Sequence, residues 1–152
     1  MTKDLEQELD SILAHHKARV AQARNEATEK SAAEESFRQA ATACLAEVIT
    51  PVLRQMAQAL NKRGIAARVP SDVSDARIDI PVSKHVRLGH GFGGYPYLRA
   101  RPERQTRRIH FERNTSDSHG SRALGDYTIA EVNAEMVTGM VLDLVRELYG
   151  SS

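Results

Sequence analysis

Cationic side chains and one tyrosine recur at alternate positions through the middle of this chain. They are Arg68, Arg77, Tyr97, Arg99, Arg101, Arg108 and His110, with Arg107 and Arg113 alongside. On β-strands alternate residues point to one face of a sheet. The spacing therefore predicts one sheet face carrying these groups, with Leu98, Ala100, Ile109 and Phe111 on the other. Arginines beside an aromatic ring on a sheet can hold a phosphate backbone and stack a base. The same stretches carry Asp79, Glu103 and Glu112, which could instead pair with the arginines across strands and leave a solvated, neutral face. An acidic protein surface is a third occupant of the same chemistry. No aromatic-rich RNA-recognition pattern of the KGFGFVxF kind is present.

Other groups offer less. Residues 83–95, SKHVRLGHGFGGY, form a glycine-rich loop whose amides could cradle an anion. It lacks the GK[ST] of a phosphate-binding loop, and no helix opens after it as a dinucleotide fingerprint requires. Phe92 and Tyr95 in this loop are candidate anchors for a protein partner. His85 with His90, or His110 with His119 and Asp117, bring nitrogen and carboxylate ligands into one neighbourhood, but neither set has a recognised metal spacing. No metal and no cofactor are expected. No GxSxG motif occurs. The lone cysteine, Cys44, lies in an apolar helix, where its thiol resists ionisation. A histidine-dependent nuclease built on His85 or His110 is a distant third reading.

The elements that position these residues follow from periodicity. Residues 3–30 contain no Gly or Pro and many good helix formers, which predicts a helical arm over residues 1–30. Its apolar stripe is Leu5, Leu9, Ile12, Leu13 and Val20, with His16 among them and Ala23 and Ala27 beyond. That stripe is too thin for a core and suits a coiled-coil seam or a partner helix, with Leu5, Leu9 and Ile12 as its contact residues. Ser31-Ala-Ala-Glu34 fits a capping box, predicting a second helix or a restart. The next stripe is richer: Leu45, Val48, Ile49, Val52, Leu53, Met56 and Leu60. Pro51 inside it either kinks the helix or follows a Thr50 cap, and Gly64 ends it.

The period then changes to two. Strands are predicted over 65–69, 77–82, 96–101 and 106–113, with a turn at Pro102–Gln105 and a polar loop over 114–126. Thr128-Ile-Ala-Glu131 is a second capping box, opening a helix whose apolar face is Ile129, Val132, Met136, Met140, Val141, Leu144, Val145 and Leu148. Gly139 in that helix is read as a site of close approach by the sheet, and Gly150 as the stop. The order predicts a two-layer α+β domain over 31–152, an antiparallel sheet of about four strands packed on two helices.

Composition bounds the function. The chain has 152 residues, 41% hydrophobic and 27% charged, which suits a folded domain. No apolar run is long enough to span a membrane, and MTKDLEQELD does not read as a secretory signal. One cysteine excludes an internal disulfide framework, so a reducing, cytoplasmic setting is expected. The net charge of +1 hides an asymmetry: residues 1–61 carry −2, residues 62–113 carry +7 and residues 114–152 carry −4. No small-molecule substrate is evident. We expect a non-catalytic interaction or assembly protein that self-associates or binds a protein partner through the N-terminal helix and the sheet and glycine-loop surface. A nucleic-acid-binding protein using the basic face of residues 62–113 is the alternative.

Overall fold

The structure is a computed structural model that describes residues 2–70, 74–81, 96–115 and 121–150. The chain divides into two compact units, residues 1–36 and 37–152. The first is helical throughout its described residues, belonging to helix α1 (Thr2–Cys44). Every described side chain in it is exposed except that of Ala33, which is half-buried. The helix does not restart at Ser31. A capping box stabilises a helix end only where the backbone leaves the helical region. Here Ala32, Ala33, Glu34 and Glu35 are all strong helix formers and nothing interrupts the run.

The second unit begins at the first buried side chain of the helix, Phe37, followed by Ala41 and Cys44. A π-helical turn, Leu45–Ile49, then leads into α2 (Thr50–Asn61). This turn resolves the two expectations for Pro51 in a third way. A proline ring inside an α-helix collides with the carbonyl four residues back and leaves it without a donor. The wider turn relieves that conflict, and Thr50 N–H donates to the Leu45 carbonyl five residues back. Thr50 is itself helical, so it does not cap. After α2, Gly64 adopts φ +84°. The Ile65 amide returns to the Leu60 carbonyl and the Gly64 amide to that of Asn61, the two bonds of a Schellman stop.

The sheet is a meander of β1 (Ala76–Asp79), β2 (Tyr97–Glu103), β3 (Arg108–Asn114) and β4 (Ser121–Tyr127), all antiparallel and in chain order. The four strands are not the four expected. Residues 65–69 contribute a single bridge, Arg68 to Asp79, instead of a strand. The fourth strand is β4, which but for Tyr127 lies in the stretch read as a loop. It lies at the sheet edge and its side chains are exposed or half-buried, so no apolar alternation marks it. The bulge between Phe111 and Glu112 shifts its register further. Opposite Phe111 sits Gly125 at φ +142°, and the Tyr127 ring lies against it. The same ring meets Phe111 edge-on, with centroids 5.7 Å apart.

A 3₁₀ turn (Ile129–Glu131) precedes α3 (Ala134–Tyr149). The Thr128–Glu131 capping box forms in full, but it caps this short turn. The helix starts later, where Asn133 accepts the Met136 amide. The core joins Leu53, Ala57 and Leu60 of α2, Val137, Val141, Leu144 and Leu148 of α3, and Ile78, Leu98, Ala100, Ile109 and Phe111 of the sheet. Of these, Ala57 and Val137 were not read in the apolar stripes. Gly139 does not mark a close approach: a Cβ built there meets nothing within 4 Å. The unit is thus an antiparallel sheet with helices on one face, an α+β architecture. No helix among the described residues is long and apolar enough to cross a membrane.

Candidate binding face on the sheet

The outer face of the sheet takes one row of side chains from each strand. β1 supplies Arg77 and Asp79, β2 supplies Tyr97, Arg99, Arg101 and Glu103, and β3 supplies Arg108, His110 and Glu112. The register sets their neighbours: Arg77 faces Arg99, Asp79 faces Tyr97, Arg99 faces Glu112, Arg101 faces His110 and Glu103 faces Arg108. Two arginines directly opposite would repel. Each is instead turned to a carboxylate. Arg77 Nε donates to Asp79 Oδ1 at 2.6 Å. Arg99 Nε donates to Asp75, and its Nη1 lies 3.5 Å from Glu112 Oε1. Arg68, bridged to Asp79 through the backbone, also places Nε 3.6 Å from Asp79 Oδ2.

Tyr97 has a cation over it. The Arg77 guanidinium carbon stands 4.2 Å from the ring centroid, so one face of the ring is occupied within the protein. His110 is half-buried. Its Nδ1 lies 2.5 Å from Asp126 Oδ1 on β4, and its Nε2 lies 3.9 Å from Glu112 Oε2. Both ring nitrogens are turned to carboxylates, and the imidazole acts as a strut between β3 and β4.

Four cations differ from the rest. Arg101, Arg104 and Arg107 make no ion pair among the described residues. Arg108 likewise makes no ion pair among the described residues, although its charge is felt at Glu131. These four cluster about the β2–β3 hairpin, whose turn is residues 104–107 instead of the expected 102–105. Arg107 sits there at φ +55°, a left-handed conformation that costs an arginine about 1–2 kcal/mol. Arg113, expected beside this face, lies on the other side of the sheet. It is opposite Leu98 and pairs with Glu147 of α3.

The outer face also gathers Glu103, His110 and Asp126, one ligand atom from each lying within 4.8 Å of the others. A His and two carboxylates are the donor types of a divalent-cation site. His119 and Asp117, weighed with His110 as a ligand set but without a recognised spacing, lie outside the described residues, as do His85, His90, Phe92, Tyr95 and the rest of the glycine-rich loop. Sequence reasoning missed Asp75, Arg104 and Asp126. Asp126 was hidden because β4 carries no apolar alternation, and Arg104 because a turn residue belongs to no face.

On the N-terminal unit, Leu5, Leu9 and Ile12 are exposed at 59%, 49% and 58%. Leu13 and Val20 are exposed with them. Cys44, at the start of the second unit's core, is buried, and that burial pushes its thiol pKa up. No protein-family model, no curated protein and no solved structure matches this chain.

Proposed function

We propose that this chain is a non-catalytic assembly protein that associates with a second copy of itself through its N-terminal helix. The observation that supports this is the apolar stripe of that helix. Leu5, Leu9, Ile12, Leu13 and Val20 share one side of a helix whose described side chains over residues 3–36 are all exposed save the half-buried Ala33. Scattered surface leucines need no explanation, but five large apolar groups on one side of a helix, at three-, four- and seven-residue spacing, form the seam by which helices pair. Helical stability in proteins comes mostly from packing such a face. The test is the mass of the full chain by light scattering as concentration rises, beside a Leu9→Ser/Ile12→Ser variant. The expected result is a wild-type mass that climbs above 16.8 kDa and a variant that stays at it. A wild-type protein that remains a single chain at every concentration refutes the reading.

The cluster of Arg101, Arg104, Arg107 and Arg108 favours a second reading, a nucleic acid held by its phosphates at the β2–β3 hairpin. Arg68, Arg77 and Arg99 contribute less to it, since carboxylates of the same unit already hold them. Fluorescence anisotropy of labelled RNA and DNA at two salt concentrations tests it. Arg101→Ala with Arg107→Ala should weaken binding and flatten its salt slope, and an unchanged slope counts against the hairpin.

A further inference from the structure

We infer that two copies of the N-terminal helix pair antiparallel, centred between Ile12 and Leu13. This rests on the proposed self-association and specifies its geometry. Two independent features of the helix point to it.

The first is the spacing of the apolar stripe. About the midpoint between residues 12 and 13 the stripe is symmetric: Ile12 mirrors Leu13, Leu9 mirrors His16 and Leu5 mirrors Val20. An antiparallel partner centred there puts Leu5 beside Val20 of the other copy at both ends. The two central pairs, Ile12 with Leu13, fill the middle. A parallel pairing also stacks the stripe, so this feature fixes the centre and the second fixes the direction.

The second feature is charge. Residues 2–13 hold one lysine and four carboxylates, Asp4, Glu6, Glu8 and Asp10, for a net −3. Residues 14–24 hold Lys17, Arg19 and Arg24 and no carboxylate, for a net +3. At about 100° per residue, Glu6, Asp10, Lys17 and Arg24 line one edge of the stripe, while Glu8 and Arg19 line the other. Two-fold antiparallel helices bring like edges together. Glu6 and Asp10 then flank Lys17 of the partner copy, and Glu8 stands beside Arg19 of the partner copy. Each such pair is about two residues, or roughly 3 Å, apart along the axis. Parallel helices bring unlike edges together. Glu6 and Asp10 would then face Glu8, and Lys17 would face Arg19. Opposite charges at such flanking positions set partner choice and orientation, and like charges oppose pairing.

Disulfide trapping in the full chain tests the geometry, with light scattering run in parallel. In an antiparallel pair the two Leu5 positions lie about 22 Å apart along the axis, far beyond the ~7 Å Cα reach of a disulfide. Under mild oxidation neither Leu5→Cys nor Val20→Cys alone should give a cross-linked dimer. An equimolar mixture should give one, its cross-linked peptide joining residues 5 and 20. Cys44, buried in the second unit, is a poor competitor. Charge exchange gives a second readout. Glu8→Arg and Arg19→Glu should each raise the dimer dissociation constant several-fold, and the double variant should restore it. A Leu5→Cys protein that cross-links with itself, with the dimer intact, overturns the antiparallel geometry and leaves self-association standing. A chain that is monomeric at all concentrations overturns both.

Discussion

Replacing Asp79 by Asn measures how firmly the outer arginines of the sheet are held within the fold. The substitution keeps the volume and removes the charge. Asp79 is the one buried charged residue among those described, at 3% exposure. Its Oδ1 accepts from Arg77 Nε at 2.6 Å, and its Oδ2 lies 3.6 Å from Arg68 Nε. A hydrogen bond to a charged group contributes about 1.5–3 kcal/mol. The Arg77 side chain is 34% exposed, so water takes over part of the lost interaction and the low end applies. Arg77 also keeps its place over Tyr97. The Arg68 side chain is 72% exposed, and a contact of that kind contributes roughly 0–0.5 kcal/mol. The expected cost of Asp79→Asn is therefore about 1.5–2 kcal/mol, equivalent to roughly 5 °C in Tm. Urea unfolding followed by tyrosine fluorescence reports it, because Tyr97 and Tyr127 lie on the sheet. Arg77→Gln should cost a similar amount, Arg68→Gln less than ~0.5 kcal/mol, and the Asp79–Arg77 double-mutant cycle should show coupling near ~1 kcal/mol. An unchanged midpoint for Asp79→Asn, or an Arg68→Gln as costly as Arg77→Gln, refutes the assignment of these contacts. The same variant raises the net charge of the outer face by one. If the chain binds single-stranded nucleic acid, its log–log salt slope should steepen by about 0.7.

Two further outcomes follow from local geometry. Gly139→Ala should stabilise the second unit by up to about 1 kcal/mol, since alanine is the better helix former and its Cβ meets nothing; a fall in Tm would mean the glycine is needed for packing after all. The side-chain and then the backbone hydrogen bonds from Thr128 hold the Glu131 carboxyl below its ordinary pKa, with the Arg108 charge adding slightly. A carboxyl with a lowered folded pKa stabilises fully above its unfolded value and loses that contribution as pH falls through the folded value. Thr128→Val should therefore shrink the acid-side loss of stability, and a pH profile identical to wild type would rule this pair out.

Much of the fold was legible because burial imposes periodicity. Leu98, Ala100, Ile109 and Phe111 alternate, and all four are buried; a shift of one residue would have driven Arg99 and His110 inward. The elements that were misread are those where burial gives no pattern. Edge strand β4 shows water most of its side chains, so it reads as a loop until Phe111 and the rest of β3 are there to pair with it. Residues 65–69 do alternate, yet they share only one bridge with β1, because an alternating pattern specifies a face and says nothing of how many partners exist. Pro51 was recognised as a conflict, but the π-turn that resolves it depends on five residues whose types do not announce it. The binding face was legible as a row of residues. Its electrostatics were legible in part: Asp79 and Glu112, read as cross-strand partners, do pair with arginines, whereas Asp75 and Asp126 reach Arg99 and His110 through register, and register is a tertiary fact.

The charge asymmetry along the chain resolves differently in the two units, and the difference bears on function. In the second unit opposite charges meet inside the fold. Asp75, Asp79 and Glu112 take up Arg77 and Arg99, while Asp126 and Glu147, from the acidic C-terminal stretch, reach His110 and Arg113. Among the described residues, the arginines clustered at the β2–β3 hairpin are left without a carboxylate partner. In the first unit the acidic block of residues 2–13 and the basic block of 14–24 follow one another along a single continuous helix. A helix cannot fold back on itself, and within a helix only charges three or four residues apart are neighbours. Lys17 lies seven residues from Asp10 and nine from Glu8, and Arg19 lies further still from both. These blocks cannot neutralise one another within one chain. A second helix laid antiparallel matches both blocks at once and covers the leucines between them, which is why the charge pattern and the apolar stripe support the same arrangement.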